Sequence, residues 1–394
     1  MNPTTFYYVR PTDSLFVRGN LAFGDSGEHG SSQMPPPPSL FAGAFRSALL
    51  GQDADHLHSF LSQGRCSYDA LAQCLGTPEH PGNFRVTWLS LAGDPGGHAA
   101  PEPVYPFPAD LLMLGQHFAK LEPRAVATGV QSAGDLPQRA TLVAAKQEKP
   151  KGGVFLRSKG FAQHLQGQPV EPIHAIESQH MFVRDPRLGI GLNADARTAE
   201  EGQIYTTEGF AFSPQEAAVA AGFVSTGFLV GMQGVAELMP LEGVLRLGGD
   251  GRSAHYRRVD FDAPAANNLL TKTKRFRLIL KTPALFSQGW LPEGVSQQSD
   301  GSLRLQCDGF AARLACAALG RREVVSGWDL FNWKPKPAQA AVPAGGVYWF
   351  DEFTGDAGKL AAWVAQGLWP HNPDPLQQSR RAEGFNRALL GAWI

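Results

Sequence analysis

Three segments of this chain place arginine among glycine, aromatic or helix-starting residues in ways suited to gripping an anion. Leu245 to Arg252 reads LRLGGDGR. Glycine lets main-chain N–H groups approach a phosphate closely, and Arg252 beyond Gly249 offers a two-pronged grip. No Lys-Ser or Lys-Thr follows at the spacing of a nucleotide-binding loop, and a tight turn between strands accounts for the same residues. Arg380 to Arg387 (RRAEGFNR) holds a glycine, an aromatic and three arginines, a set able to stack a base and hold its phosphates. A helix start with solvated charges is the competing reading. The third segment is the helix expected over Ser39–Leu50, with Ser39 as its N-cap and Arg46 among small and apolar neighbours. Its N-terminus follows Pro35 to Pro38 and carries free N–H groups and the positive end of the helix dipole. An ordinary capped core helix with one surface arginine explains it as well.

Acid–base chemistry has thinner support. The 11 histidines are dispersed, and His56 and His58, two apart, share no helix face. His29, in a Gly-rich loop, and His255, just past Gly251, are the candidates for a general acid or base. A surface or packed histidine accounts for each. No G-x-S-x-G or H-E-x-x-H pattern occurs. Cys66, Cys74, Cys307 and Cys316 lack C-x2-C spacing, so scattered buried or half-buried thiols in a reducing compartment are expected. No residue pattern calls for a metal or a cofactor.

The elements that must position these groups are mixed. With 44 Gly and 30 Pro in 394 residues, turns and loops are favoured over a helical bundle. Strands are expected at Phe6–Arg10, Phe84–Leu91, Gly202–Phe210 and Gly222–Met232, helices at Ser39–Leu50 and around His56–Gln63, and loop from Gly93 to Pro108. The formal net charge is −1, from 35 Lys and Arg against 36 Asp and Glu, which argues against a uniformly basic nucleic-acid binder. Charge is nonetheless local. Lys146 to Gly160 holds five basic residues against Glu148, and Arg246 to Lys281 holds nine against three acids, Asp250, Asp260 and Asp262. No apolar run approaches the ~20 residues of a membrane span, so a soluble, cytoplasmic protein is expected.

An internal echo organises the chain. Phe6 to Phe16 and Phe276 to Phe286 both read F-x8-L-F, with Thr12 and Thr282 at the same offset. A helical stretch is expected after each, at Leu40–Leu50 and at Phe310–Leu319. Two similar α+β domains follow, 1–262 and 263–394, with the break near 261–273.

Taken together, PPPPSLFAGAFRSALL at Pro35–Leu50, GIGLNADARTAEEGQIY at Gly189–Tyr205, LGGDGRSA at Leu247–Ala254, LKTPALFSQGWLP at Leu280–Pro292, VPAGGVYWF at Val342–Phe350 and GFNRALLG at Gly384–Gly391 resemble a known family. It is the RAMP subunit of the type III-B (Cmr) CRISPR complex that caps the 5′ end of the guide RNA. The segments come in the family's order and span the chain. One departure is Asn386, where such loops carry the second Gly of G-F-G; Asn tolerates left-handed geometry better than most residues.

The resemblance implies an α+β fold of two ferredoxin-like (RRM-like, RAMP) domains with long loop insertions. It implies a non-catalytic role, holding the crRNA 5′ tag beside the large polymerase-like subunit and the first backbone RAMP subunit, with target RNA contacted indirectly and no membrane. Arg18, Ser39, Arg46, Gly249, Arg252, Gly384, Phe385, Asn386 and Arg387 would then line one groove. Lys272, Lys274 and Arg275 would contact the RNA backbone. Arg187, Asn193 and Arg197 would either contact RNA or form a structural hairpin pinned to Glu200 and Glu201. The alternatives are a metal-independent endoribonuclease using His29 or His255, a purely structural bridge, and the equivalent subunit of another type III subtype.

Overall fold

The computed structural model describes residues 3–17, 29–30, 34–126, 136–142, 148–193, 195–212, 216–249, 251–264 and 273–394. Arg18, Lys146 and Lys272 lie outside them. Among the described residues the helices are α1 (Pro38–Leu50), α2 (Ala54–Gln63), α3 (Asp69–Leu75), α4 (Ser158–Leu165), α5 (Glu216–Ala220), α6 (Ala357–Gln366) and α7 (Pro375–Glu383). No helix among them is long and apolar enough to cross a membrane.

Two antiparallel sheets form the body of this mixed α+β fold. One has eight strands, in the spatial order Glu242–Arg246, Ser253–Val259, Thr5–Pro11, Ser225–Gln233, Arg85–Asp94, Glu102–Pro106, Val154–Arg157, Ala175–Glu177. The other has six: Val295–Gln297, Leu303–Cys307, Phe310–Ala318, Val347–Gly355, Phe276–Leu280, Ala388–Ala392. All strands of the first end by Val259 and all strands of the second begin at or after Phe276. At the heart of each sheet, four strands numbered along the chain lie in the same order, fourth, first, third, second.

The F-x8-L-F echo therefore marks equivalent strands, Thr5–Pro11 and Phe276–Leu280. It misses their register by one residue, and a slip of one turns every side chain to the opposite face. Tyr7 and Val9 face the core under α1, where Tyr7 meets Phe45 at 5.4 Å, while Phe6 and Tyr8 face the second sheet. In the second copy it is Phe276 and Leu278 that face their own core, with α6 over it, while Ile279 joins Phe6, Trp88, Leu229 and Trp349 in a seam between the sheets.

Three other expectations are corrected. Phe310–Ala318 is a strand, because Phe310, Ala312 and Leu314 fill one core at a period of two and a bulge between Leu314 and Cys316 then turns Cys316 and Ala318 to the seam on the other face, which overrides the helix propensity of alanine and leucine. Glu102–Pro106 is a strand within the stretch read as loop, paired to Arg85–Asp94. Ser39 is not the N-cap of α1: Pro37 is, without a side-chain cap, and Pro38 starts the helix. The four cysteines are free, three buried and Cys307 half-buried.

A long hairpin, Val183–Asn193 with Thr198–Ala211, stands out from this body. Its root is fixed where Leu15 pairs with buried Phe210, while Leu188 and Leu192 further along are 74% and 65% exposed. His29 lies in the two-residue strand His29–Gly30, parallel to the hairpin's second strand.

Candidate nucleic-acid interface

The loop after α7, expected to present a glycine, an aromatic and an asparagine to a ligand, is interior. Gly384 closes α7 in the left-handed region at φ 97°, and Asn386 sits there too at φ 60°, so the asparagine keeps the geometry a glycine would supply. Phe385 is fully buried with Leu285, Val325, Ala341 and Trp369. The Asn386 Oδ1 accepts from the Leu285 N–H at 2.6 Å and its Nδ2 donates to the carbonyls of Leu368 (3.0 Å) and Leu285 (3.3 Å). Gly384, Phe385 and Asn386 have nothing left to offer a ligand, because packing and main-chain partners consume them.

Arg387 is the exception, since its charge is not consumed. It donates through Nη2 to the carbonyl of Val86 (3.1 Å) and through Nη1 to that of Ala365 (3.2 Å), and Nε has no partner. Carbonyl dipoles solvate a guanidinium without cancelling its charge. Burial, followed by the neighbouring Arg381 and Arg85, pushes Arg387 down to about 10. Arg85 is lowered by burial and by Arg381 and Arg46; its Nη1 donates to the carbonyls of Gly82 (2.5 Å) and Phe84 (2.6 Å). Lys281 falls well below the ordinary lysine range through burial and the charge of Arg387, and its Nζ sits 3.0 Å from the centre of the Trp88 ring.

Arg46 completes the group. It lies over the Phe84 ring at 5.0 Å, with Nε and Nη2 unpartnered, and burial lowers it although Glu383 pulls the other way. Glu383 is already held by Lys336 (2.5 Å) and Arg380 (2.9 Å). Four guanidinium groups and the Lys281 amine, from both halves of the chain, thus converge where α1, α7 and the strand Arg85–Asp94 meet, and no carboxylate among the described residues forms an ion pair with any of them. Such a cluster is a standing potential for a polyanion. Arg85 and Arg381 are half-exposed, as is Arg46 taken as a whole residue, although its Nε and Nη2 are buried.

The remaining residues singled out in the sequence do not join this cluster. Arg252 and Arg187 meet on Asp13, at 2.6 Å and 3.2 Å, with Arg187 also on Asp185 at 2.8 Å. Arg252 adjoins Ser253, which pairs with Thr12, whereas Val86, the neighbour of Arg85, lies level with Thr5 across the sheet, so the two sites are more than about 20 Å apart by strand rise. The Gly249 N–H bonds the carbonyl of Phe16, and its segment is a turn between strands, the simpler of the two readings. Asn193 accepts from the N–H groups of Asp195 and Ala196 at the hairpin tip, where Arg197 adopts φ 53°. Lys274 and Arg275 are exposed at the far end of the strand leading to Lys281, again roughly 20 Å away, with Arg275 over Trp393 at 5.1 Å. Ser39 is half-buried inside α1.

Sequence reasoning misses Arg85 altogether and places Lys281 and Arg381 only within basic stretches. Strand parity is the signal that could have found Lys281, which continues the face of Arg277 and Ile279 into the seam. In the basic insertion, Lys151 pairs with Glu177 and Arg157 with Glu102, so those two charges serve the fold.

The structure defines a mixed α+β protein whose two halves meet at a largely buried cationic cluster, and comparison with known families narrows the class. The model of the family described as CRISPR-associated protein (Cas_Cmr3) matches residues 7–393. The chain belongs to that family, the RAMP-like subunits of the type III-B Cmr complex. No curated protein sequence matches it. Among solved structures, a chain of the Type III-B Cmr-beta bound to cognate target RNA is similar at 14% identity, over 97% of this chain and 96% of that one, with a TM-score of 0.49. A chain of the Type III-B Cmr-beta bound to cognate target RNA and AMPPnP is similar at 15% identity, over 87% and 86%, with a TM-score of 0.45.

Proposed function

We propose that this Cmr subunit is a non-catalytic crRNA holder whose interdomain cationic cluster takes the phosphates of the 5′ tag. The observation that carries this reading is the convergence of Arg46, Arg85, Lys281, Arg381 and Arg387 without an ion-paired carboxylate. A single-stranded tag needs a local grip, not a basic surface, which fits a chain of net charge −1. The repeated strand order supports reading the halves 1–262 and 263–394 as two ferredoxin-like domains. Their outer faces then remain for the large polymerase-like subunit and the adjacent backbone RAMP subunit.

The experiment has two parts. Incubation of the purified chain with repeat RNA, without metal, leaves the RNA intact; cleavage that His29→Ala or His255→Ala abolishes would overturn the non-catalytic role. In the reconstituted complex, nuclease footprinting of the tag shows protection that Arg85→Glu with Arg381→Glu removes. Unchanged protection in that variant contradicts the assignment of the cluster to the tag.

A further inference from the structure

A second feature lies in a hairpin that no sequence motif singles out. It is closed at its base by Glu323–Val325 against Gln339–Ala341 and near its tip by Trp328–Asp329 against Lys334–Pro335. α7 grips the base: Arg380 donates to the Gln339 Oε1 (2.8 Å) and to the carbonyls of Ser326 (2.9 Å) and Pro337 (3.2 Å). The tip is seated on the other half of the molecule, with Leu330 packed against the first core and Phe331 edge-on to Phe60 of α2 at 6.3 Å. The hairpin is therefore anchored at both ends without help from its two tryptophans.

Those tryptophans are turned outward. Trp328 is 51% and Trp333 71% exposed, their rings perpendicular with centres 5.7 Å apart. Trp333 is also held at φ 49°, a left-handed conformation that is costly for a bulky residue. Large apolar surface left exposed on an anchored, strained tip points to a ligand. The local charge says which kind. Arg321, Arg322 and Lys334 are exposed and form no ion pair among the described residues, while the Asp329 carboxylate is taken up by Asn332, N–H at 3.0 Å and Nδ2 at 2.9 Å. Indole faces beside a free cation, Lys334, suit unpaired nucleobases and their phosphates.

We infer that Trp328 and Trp333 form a stacking platform for unpaired bases of single-stranded RNA, flanked by Lys334, with the exposed Arg321–Arg322 pair further off at the base of the hairpin. This rests on the cationic cluster being an RNA site, and α7 links the two, since Arg381 belongs to the cluster and the preceding Arg380 holds the hairpin. The platform prolongs the RNA path beyond the cluster.

The test is photocrosslinking in the assembled Cmr complex with guide RNA substituted by 4-thiouridine, adducts being located by mass spectrometry. Adducts on Trp328 or Trp333 are expected, falling about tenfold in Trp333→Ala and persisting in Trp333→Phe, which keeps a ring for stacking. Adducts near Arg85 and Arg381 with none on the hairpin overturn the platform and leave the cluster standing. Adducts at neither place overturn both. A complex of the W328A, W333A double variant that loses a neighbouring subunit while hairpin adducts at Lys334 are unchanged makes the patch a protein-docking surface and overturns the inference.

Discussion

Arg387 donates to the main-chain carbonyl of Val86 across the junction of the two sheets, 3.1 Å away and 301 residues apart in the chain. One side chain thus serves both the docking of the halves and the positive charge of the cluster. Its burial shows why the two roles coincide: a guanidinium paired with carbonyls is anchored but still charged.

Gly384 tests how tight that junction is. Its φ is 97°, and a Cβ there would stand 2.9 Å from the Val86 Cγ1 and 3.0 Å from the Val86 carbonyl oxygen. Gly384→Ala is expected to cost roughly 2–4 kcal/mol, from left-handed strain and overpacking together. Urea unfolding measures it, and a wild-type midpoint would mean that the halves do not meet closely here.

A buried polar triad in the seam gives a pH signature. Asp110 bonds Arg277 at 2.5 Å and His164 at 2.9 Å, with all three side chains no more than 2% exposed. Burial alone would raise the Asp110 carboxyl, but His164 and Arg277 outweigh it and bring it to about 2, from 3.8. A depressed carboxylate pKa contributes stability that is present above about pH 4 and lost as pH falls towards 2. That contribution is on the order of 2 kcal/mol. Acid titration of unfolding should show it in wild type and not in Asp110→Asn. The variant should also lose about 3–5 kcal/mol at pH 7, because Arg277 is left buried without its partner. Equal acid sensitivity of the two proteins would mean that Asp110 is not the titrating group.

Lys281 predicts a slope of the same sign in a higher pH window. Burial, then Arg387, lowers its pKa well below 10.5, so the unfolded chain binds the extra proton and stability rises with pH through the range below 10.5. Lys281→Met replaces a desolvated amine by an apolar side chain of similar length. The variant should be at least as stable as wild type at pH 7 and should flatten that rise. A marked loss of stability in Lys281→Met would mean that the charged amine is favourably held.

Much of the architecture is legible in the sequence because it follows local rules. The strand Thr5–Pro11 is aromatic and β-branched up to its proline, α1 follows the proline tract, and the repeated F-x8-L-F marks two equivalent strands. The register slip and the strand at Phe310–Ala318 are not legible, because alanine and leucine carry no period-two signal until both faces find partners. The site is half legible. Arg46 and Arg387 stand out, yet Gly384, Phe385 and Asn386 beside them are structural, since a buried loop and an exposed one can share a composition. Arg85 carries no motif: only the packing of α7 against the strand Arg85–Asp94 sets it beside Arg381.

The most direct measurement compares the affinity of the full chain for 5′-tagged crRNA after charge reversal at two places. Arg85→Glu with Arg381→Glu should raise Kd at least about tenfold and reduce the salt dependence of binding, by about 0.7 in log–log slope for each phosphate no longer bound. Lys274→Glu with Arg275→Glu, of equal charge change but roughly 20 Å from Lys281, should do far less. Equal effects of the two pairs, or a larger effect at Lys274 and Arg275, would contradict the placement of the guide RNA at the interdomain cluster.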